Sequence, residues 1–260
     1  MSLISHSLGA PTATGDLPGG SQIDRHRHTE HQIVYPSAGV AEVRTDAGSW
    51  IAPADRAIWI PAGCWHEHRF YGPTRFHCVA FQPDQNTAAN QPGIRPPVAE
   101  SPRDAAVIAV NPLLRELIIA CSAPEDLPAD ELARLRQVLL DRIHRSSAQA
   151  LRLPAAEDAR LRRACTLVER DLTTVWTLAE LGRHVGASER TLARLFRTEL
   201  AMTYPQWRTQ LRLHRAVQLL AESLPVTAVA HRCGWASASA FIDVYRRTLG
   251  HTPGAYQRRH

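Results

Sequence analysis

Three histidines in the first half of the chain have the type and spacing needed to bind a transition metal. They lie in two short segments, His26-Arg27-His28 and Pro61 to His66. Because side chains alternate along a strand, His26 and His28 are predicted to face the same side of one strand. Neutral imidazole nitrogens suit borderline-soft divalent ions, so the segments predict a site for Zn, Ni, Fe or Co.

Other side chains could complete this site. Gln32 shares the strand parity of the histidine pair, and its amide oxygen would be a weak ligand that leaves a coordination position open. Glu30 has the same parity and Cys64 precedes His66 by two residues, so either could substitute.

Other interpretations of these histidines stay open. They could line a dry pocket that binds an organic molecule, or they could be hydrogen-bonded core residues. Eight of the thirteen histidines precede residue 151, His31, His68 and His77 among them, so the residue is common in this half. A metal enzyme, such as a dioxygenase or isomerase with an iron site, is a further alternative.

The elements that position these residues are predicted to be short strands, followed by helices. Residues 22–82 alternate apolar and polar side chains between Pro and Gly turns, which is typical of half-buried strands. Residues 105–145 have helical periodicity. Two apolar stripes follow it, Leu113, Leu114, Leu117, Ile118 and Cys121, then Leu132, Leu135, Leu139 and Ile143. We expect these stripes to form a homodimer contact, the alternative being packing on the strands of the same chain.

Net charge divides the chain into unlike halves. Residues 1–150 contain 13 Arg and 16 acidic residues, whereas residues 151–260 contain 17 Arg and 9 acidic residues. The basic half, with a net charge of +8, indicates contact with a polyanion such as DNA. No apolar run reaches the roughly 18 residues of a membrane span, and the N-terminus lacks a signal-peptide pattern. We therefore expect a cytoplasmic protein with no membrane partner.

The basic half repeats itself. Residues 178–196 and 226–245 each predict a short helix, a turn containing Gly, an N-cap Ser and a longer helix. This is the pattern of a helix-turn-helix, and a further helix over residues 205–223 joins the two copies. An all-α bundle with a basic surface is the alternative, but a duplicated unit favours a DNA reader.

The longer helix of each copy is the candidate recognition helix. In the first copy the DNA-contacting candidates are Ser188, Arg190, Ala193, Arg194 and Arg197. In the second they are Ala238, Ser239, Asp243 and Arg246. Arg can read guanine or hold phosphate, whereas Asp accepts from cytosine but repels phosphate. The second helix is therefore expected to read DNA more weakly.

Residues 158–257 resemble the DNA-binding domain of the AraC/XylS family of bacterial transcription regulators. The segment SASAFIDVYRRTLGHTPGAYQ is similar to the family's second helix-turn-helix and its closing Gly-x-x-Pro-x-x-Tyr, with Gly254-Ala255-Tyr256 after Pro253. The resemblance implies two recognition helices entering successive major-groove faces of promoter DNA, with RNA polymerase as a further partner. The base-facing residues that it implies are Arg190, Ala193, Arg194, Ala238, Ser239 and Asp243. An acidic residue departs from the usual polar or basic one at the last of these positions.

The histidine segments resemble the two motifs of the cupin β-barrel, His-x-His-x3-Glu-x6-Gly and Pro-x-Gly-x2-His. HRHTEHQIVYPSAG follows the first and PAGCWH the second, with Gln32 where a cupin metal site usually has Glu. The resemblance implies that His26, His28, Gln32 and His66 are the metal ligands. Many AraC-family regulators place such a barrel before the DNA-binding half. The resemblance therefore implies a sensor of a metal ion or a small effector, not an enzyme.

The sequence as a whole predicts an α+β protein of two domains, a cupin-like β-barrel with following helices and an all-α domain with two helix-turn-helix motifs. The predicted segments are a flexible tail at 1–20, the sensor barrel at 21–104, a helical dimerisation segment at 105–145, a linker at 146–157 and the DNA-binding domain at 158–260. We expect a transcription regulator, with activation or repression left open.

Overall fold

The computed structural model describes residues 10–83, 105–146 and 151–257. The chain divides into two compact units: the first contains residues 1–46 and 50–152, and the second contains residues 47–49 and 153–260. This agrees with the prediction of a strand-rich domain followed by a helical one. Among the described residues, no helix has both the length and the apolar character required to cross a bilayer.

The first unit is built on antiparallel strands. Their bounds are β1 (Ala13–Leu17), β2 (Gln22–His26), β3 (His31–Thr45), β4 (Gly48–Pro53), β5 (Arg56–Ile60), β6 (His66–Phe81) and β7 (Ala106–Ala109), and a short β8 (Arg152–Pro154) follows the helices. The long strands β3 and β6 pair from His31–Phe81 to Thr45–His66. At one end they are flanked by β2 and β4, and at the other by β1 and β5, with β7 beyond β5.

Two helices of the first unit, α1 (Pro112–Ser122) and α2 (Ala129–His144), pack on the strands of the same unit. Their buried side chains form one core with residues of β3, β5, β6 and β7; the members from the two helices are Leu114, Leu117, Ile118, Cys121, Leu139, Leu140 and Ile143. Leu132 and Leu135 pack partly against this core. Both stripes therefore follow the alternative to the dimer contact, which is packing on the strands of the same chain. The homodimer stays a prediction. Only Leu113, of the predicted stripe residues, is largely exposed.

Two boundaries differ from the sequence prediction. Residues 13–17 were assigned to the flexible tail but form β1, whose Ala13 pairs with Cys78. Residues 106–109 were assigned to the helical segment but form β7 beside β5. Both strands are short and are specified by partners far along the chain, which local periodicity does not reveal. Residues 84–104, the last part of the predicted sensor barrel, lie outside the described residues.

Apart from the first residues of β4 and the last residues of β8, the described part of the second unit consists of helices and the segments that connect them. Its helices are α3 (Ala159–Arg170), α4 (Leu178–Val185), α5 (Glu189–Glu199), α6 (Tyr204–Ala221), α7 (Val226–Arg232), α8 (Ala238–Leu249) and α9 (Pro253–Gln257). The helices α4 and α5 form the first predicted helix-turn-helix, and α7 and α8 form the second. Trp207 of α6 lies in the same core as Leu192, Leu195 and Phe196 of α5. The linking helix therefore supports the first recognition helix directly.

Candidate metal centre and nucleic-acid interface

Four imidazole rings lie close together in the first unit. The ring of His66 is central: its centroid is 4.3 Å from that of His26, 4.9 Å from that of His28 and 5.0 Å from that of His68. Three of the four rings are almost completely buried, and His26 is half-buried. The structure thus brings the three predicted histidines together and adds His68, which the prediction did not include.

The strands explain why these rings converge. His66 and His68 begin β6, where their side chains share a face by strand alternation. His26 ends β2 directly opposite His66, after a register irregularity between Ile23 and His26. Such an irregularity redirects the following side chains. His28 lies just beyond β2 in a loop, not on the strand as predicted, and Gly63 N donates to its carbonyl oxygen at 2.8 Å.

The ring nitrogens are oriented in a common way. The Nδ1 atoms of His26, His28 and His66 lie 2.8, 2.7 and 2.9 Å from backbone carbonyl oxygens. These oxygens belong to residues two positions away, namely Asp24, Glu30 and Cys64. A carbonyl only accepts, so each Nδ1 donates and each neutral ring keeps its lone pair on Nε2. Metal-binding histidines commonly have this arrangement, because it fixes the ring and the tautomer.

Several buried polar atoms face no protein partner. Within the described residues, the Nε2 atoms of His28 and His66, the Nδ1 atom of His68 and the Oε1 atom of Gln32 have no hydrogen-bond partner. Gln32 is 1% exposed, and its Nε2 donates to Pro11 O at 3.4 Å. A buried acceptor without a partner costs about 1–3 kcal/mol. A cluster of such acceptors is chemically suited to a cation.

Burial keeps these imidazoles uncharged. It lowers the pKa of His66 to about 3 and holds the pKa of His68 well below its ordinary value, with neighbouring histidines adding to both shifts. Burial also lowers the pKa of His28; a protonated ring would donate to the backbone carbonyl of Glu30 and to the Gln32 side chain, which offsets part of this shift. Neutral imidazole is the form that binds metals. His66 and His68 therefore present lone pairs at neutral pH.

The two alternative ligands from the sequence are directed elsewhere. Glu30 Oε2 accepts from Ala10 N at 3.0 Å, which lowers the pKa of that carboxyl group. Cys64 Sγ lies 3.7 Å from Trp65 O. The residue missed from the sequence was His68, and its signal was the pair His66-Glu67-His68, which has the same period-2 spacing as His26 and His28.

The first recognition helix presents the predicted arginines to solvent. Ser188 caps α5. Its Oγ accepts a hydrogen bond from Thr191 N at 3.1 Å, which stabilises the start of the helix. Arg190, Arg194 and Arg197 are exposed, and Ala193 is partly exposed between them. Their spacing places the three guanidinium groups along one exposed face of the helix.

The second recognition helix has a different surface. Ser237 caps α8 through Ala240 N, while Ser239 is exposed and Ala238 is partly exposed. Asp243 is bonded on its own helix: Arg247 Nη2 donates to it at 3.0 Å, and Arg246 lies 3.8 Å away. Arg246 and Arg247 therefore offset the negative charge of Asp243, which would otherwise repel DNA phosphates.

Comparison with known proteins identifies both units. The AraC-like ligand binding domain matches residues 18–153, and a helix-turn-helix domain matches residues 181–259. The HTH-type transcriptional regulator NimR of Escherichia coli K12 is 29% identical over 233 residues, covering 89% of this chain and 81% of NimR. The HTH-type transcriptional regulator GadX of the same strain is 36% identical over 98 residues, covering 37% of this chain and 35% of GadX.

A solved structure is similar as well. The DNA-binding transcriptional dual regulator from Escherichia coli K-12 has 34% identity, and the match covers 40% of this chain and 95% of that one with a TM-score of 0.37. The ligand-binding match alone spans more than half of the chain. The chain belongs to the AraC family of DNA-binding transcription regulators, with a cupin-like ligand-binding domain before the helix-turn-helix domain.

Proposed function

We propose that this regulator senses a divalent transition metal, of which Zn, Ni, Fe and Co suit the ligands, and controls promoter binding in response. The observation that carries the proposal is the group of buried acceptors without protein partners, His28 Nε2, His66 Nε2 and Gln32 Oε1. In the proposed site, His26, His28 and His66 hold the ion and Gln32 supplies a weaker oxygen ligand. A bound ion would supply the positive charge that these lone pairs lack.

The environment of His77 shows how a buried histidine without a ligand role is satisfied in this unit. Its Nδ1 lies 2.9 Å from Ser122 Oγ, and its Nε2 lies 2.9 Å from Ser37 Oγ. Both ring nitrogens therefore have hydroxyl partners, unlike the Nε2 of His66. The contrast favours a ligand role for the cluster over the ordinary core role.

Metal binding by the full chain tests the proposal. After removal of metals from tag-free protein, wild type is expected to bind at least one of the four ions in calorimetric titration. His66→Ala removes a central ligand and is expected to weaken binding about a hundredfold. Gln32→Glu is expected to tighten it, because a carboxylate adds negative charge at the same position.

His77→Gln is the matched control, since it changes a buried histidine of the same unit outside the cluster. It is expected to keep the wild-type affinity. Reporter transcription with and without the ion then links binding to regulation. Failure of wild type to bind any of the four ions more tightly than about millimolar, a level too weak for specific sensing, would contradict the proposal. An organic effector would then be the better candidate.

We also propose that the exposed face of α5 reads the promoter, with Arg194 on a base and Arg197 on a phosphate. Arg194→Ala is expected to cost about 1–3 kcal/mol of binding and to relax preference at one base pair. Arg197→Ala is expected to weaken all sequences alike and to lower the salt slope by about one.

The DNA measurement is titration of the full chain with promoter and random duplexes at several salt concentrations. Arg163→Ala on α3 removes the same charge outside both helix-turn-helix units and is the control. Equal effects of all three substitutions would show that only net charge matters. Promoter control also implies RNA polymerase and a second copy of the chain as partners, which we keep as proposals.

A further inference from the structure

We infer that His68 is a ligand of the proposed metal, in a set with His26 and His66 that the cupin motifs do not contain. This inference rests on the proposed function, because it concerns the same site. It changes the composition of that site: the inner ligands are three imidazoles from two strands, and His28 is the outer one.

The geometry selects this set. Among the described His, Cys, Asp and Glu residues, the only group of three or more whose ligand atoms all lie within 4.8 Å of one another is His26, His66 and His68. In the pairing of β2 with β6, His26 is opposite His66. His68 follows two residues later on β6 and is opposite Ile23. Hydrogen-bonded strands hold side chains more precisely than loops do. His28, in contrast, lies in the loop after β2.

The state of His68 itself also indicates a ligand. The side chain is 3% exposed, and its buried Nδ1 has no hydrogen-bond partner within the described residues. The ring lies parallel to Phe70, with 6.2 Å between centroids and 4° between planes, so packing fixes its orientation. His77, further along the same strand, has hydroxyl partners for both nitrogens. A missing partner alone does not mark a ligand, because His144 Nδ1 on α2 also lacks one within the described residues. His68 differs from His144 in lying together with His26 and His66.

The change needed for binding is small. Zn–N bonds of about 2.0–2.1 Å place tetrahedral ligand nitrogens about 3.4 Å apart. Nitrogens within 4.8 Å therefore approach one another by about 1.4 Å at most. Rotation of the half-buried His26 ring can supply much of this movement. Because the three imidazoles are neutral, they leave the charge of the ion uncompensated. The fourth coordination position is open to His28 or to an external ligand.

The first variant removes the ring nitrogens of His68 but keeps an aromatic ring at this position. His68→Phe keeps a flat side chain against Phe70, whereas His68→Gln is a second variant that offers a weak amide donor. Each is titrated with Zn²⁺ and with Co²⁺ as full-length protein beside wild type, His28→Phe and His77→Gln. Calorimetry gives the affinity, and visible absorption of bound Co²⁺ reports the number and type of its ligands.

The expected result is a loss of at least about tenfold in affinity for His68→Phe, with a changed Co²⁺ spectrum. His68→Gln should fall between that variant and wild type, and His28→Phe should lose less than His68→Phe. Wild-type affinity and spectrum in both His68 variants, alongside a defect in His66→Ala, would overturn the inference and leave the proposed function standing. Absence of binding by wild type would overturn both.

Discussion

Lowering the pH from 8 to 5 without metal is expected to reduce the free energy of unfolding of the N-terminal unit by at least about 4 kcal/mol. The pKa of His66 is lowered to about 3 and that of His77 to about 4, in both cases mainly by burial. In an unfolded chain both groups titrate near 6.5. At pH 5 the unfolded state therefore binds two protons that the folded state does not.

The direction follows from this difference in bound protons. Above pH 6.5 both states are neutral at these residues, so the shifts contribute nothing. As the pH falls below 6.5 the unfolded state is favoured, by about 2 kcal/mol for each histidine at pH 5. The pKa values of His28, His31 and His68 are also lowered by burial, so these residues act in the same direction.

Guanidinium unfolding at pH 8 and pH 5, followed by hydrogen exchange in β3 and β6, measures this effect in the full chain. His77→Gln should remove about 2 kcal/mol of the difference between the two pH values, because the contribution of this imidazole is lost. His231→Gln, a substitution of an exposed histidine on α7, should leave it unchanged. Equal unfolding free energies at the two pH values would show that these imidazoles are not held neutral by burial.

Gly234→Ala is expected to destabilise the C-terminal unit by about 4 kcal/mol, whereas Gly186→Ala should cost about 1 kcal/mol. The two glycines occupy matching positions in the two helix-turn-helix turns and have similar positive φ angles, +72° and +69°. Such angles disfavour any residue with a Cβ atom. A Cβ at Gly234 would also lie 2.1 Å from Leu172 O, whereas one at Gly186 would meet no atom within 4 Å.

Chemical denaturation of both variants separates the two causes. Both carry the cost of the left-handed backbone, and only Gly234→Ala must also displace the backbone at Leu172. Gly250→Ala, at φ +85° with open space around it, should behave like Gly186→Ala. If Gly234→Ala costs no more than the other two, the close approach to Leu172 is not a constraint on the fold.

The recognition helices could be predicted from sequence because their determinants are local. Ser188 and Ser237 cap α5 and α8 as their positions indicated, and the buried stripes face the core. The ion pairs of Asp243 were not predicted from the sequence. Its carboxylate lies near two arginines that follow it three and four residues later in the chain. Those spacings were present in the sequence and are typical of helical ion pairs.

The histidine cluster was only partly accessible from sequence. The motif spacing pointed to His26, His28 and His66, and all three rings do converge. The position of His68 depends on which residues of β2 and β6 pair, and on the irregularity before His26. Register of this kind is set by the whole sheet, so the period-2 spacing of His66 and His68 indicates a shared face but not the approach of His68 to His26.

At the start of β3, a single strand separates the proposed metal site from the core that α1 and α2 complete. The Gln32 side chain interacts with His28 of the histidine cluster, while Ile33 and Tyr35 belong to the core that α1 and α2 complete. Alternation along a strand puts consecutive side chains on opposite faces. A metal bound by Gln32, as proposed, would therefore act on the same backbone that carries the core residues under α1 and α2. No relay of side chains between the proposed site and the helices would be needed.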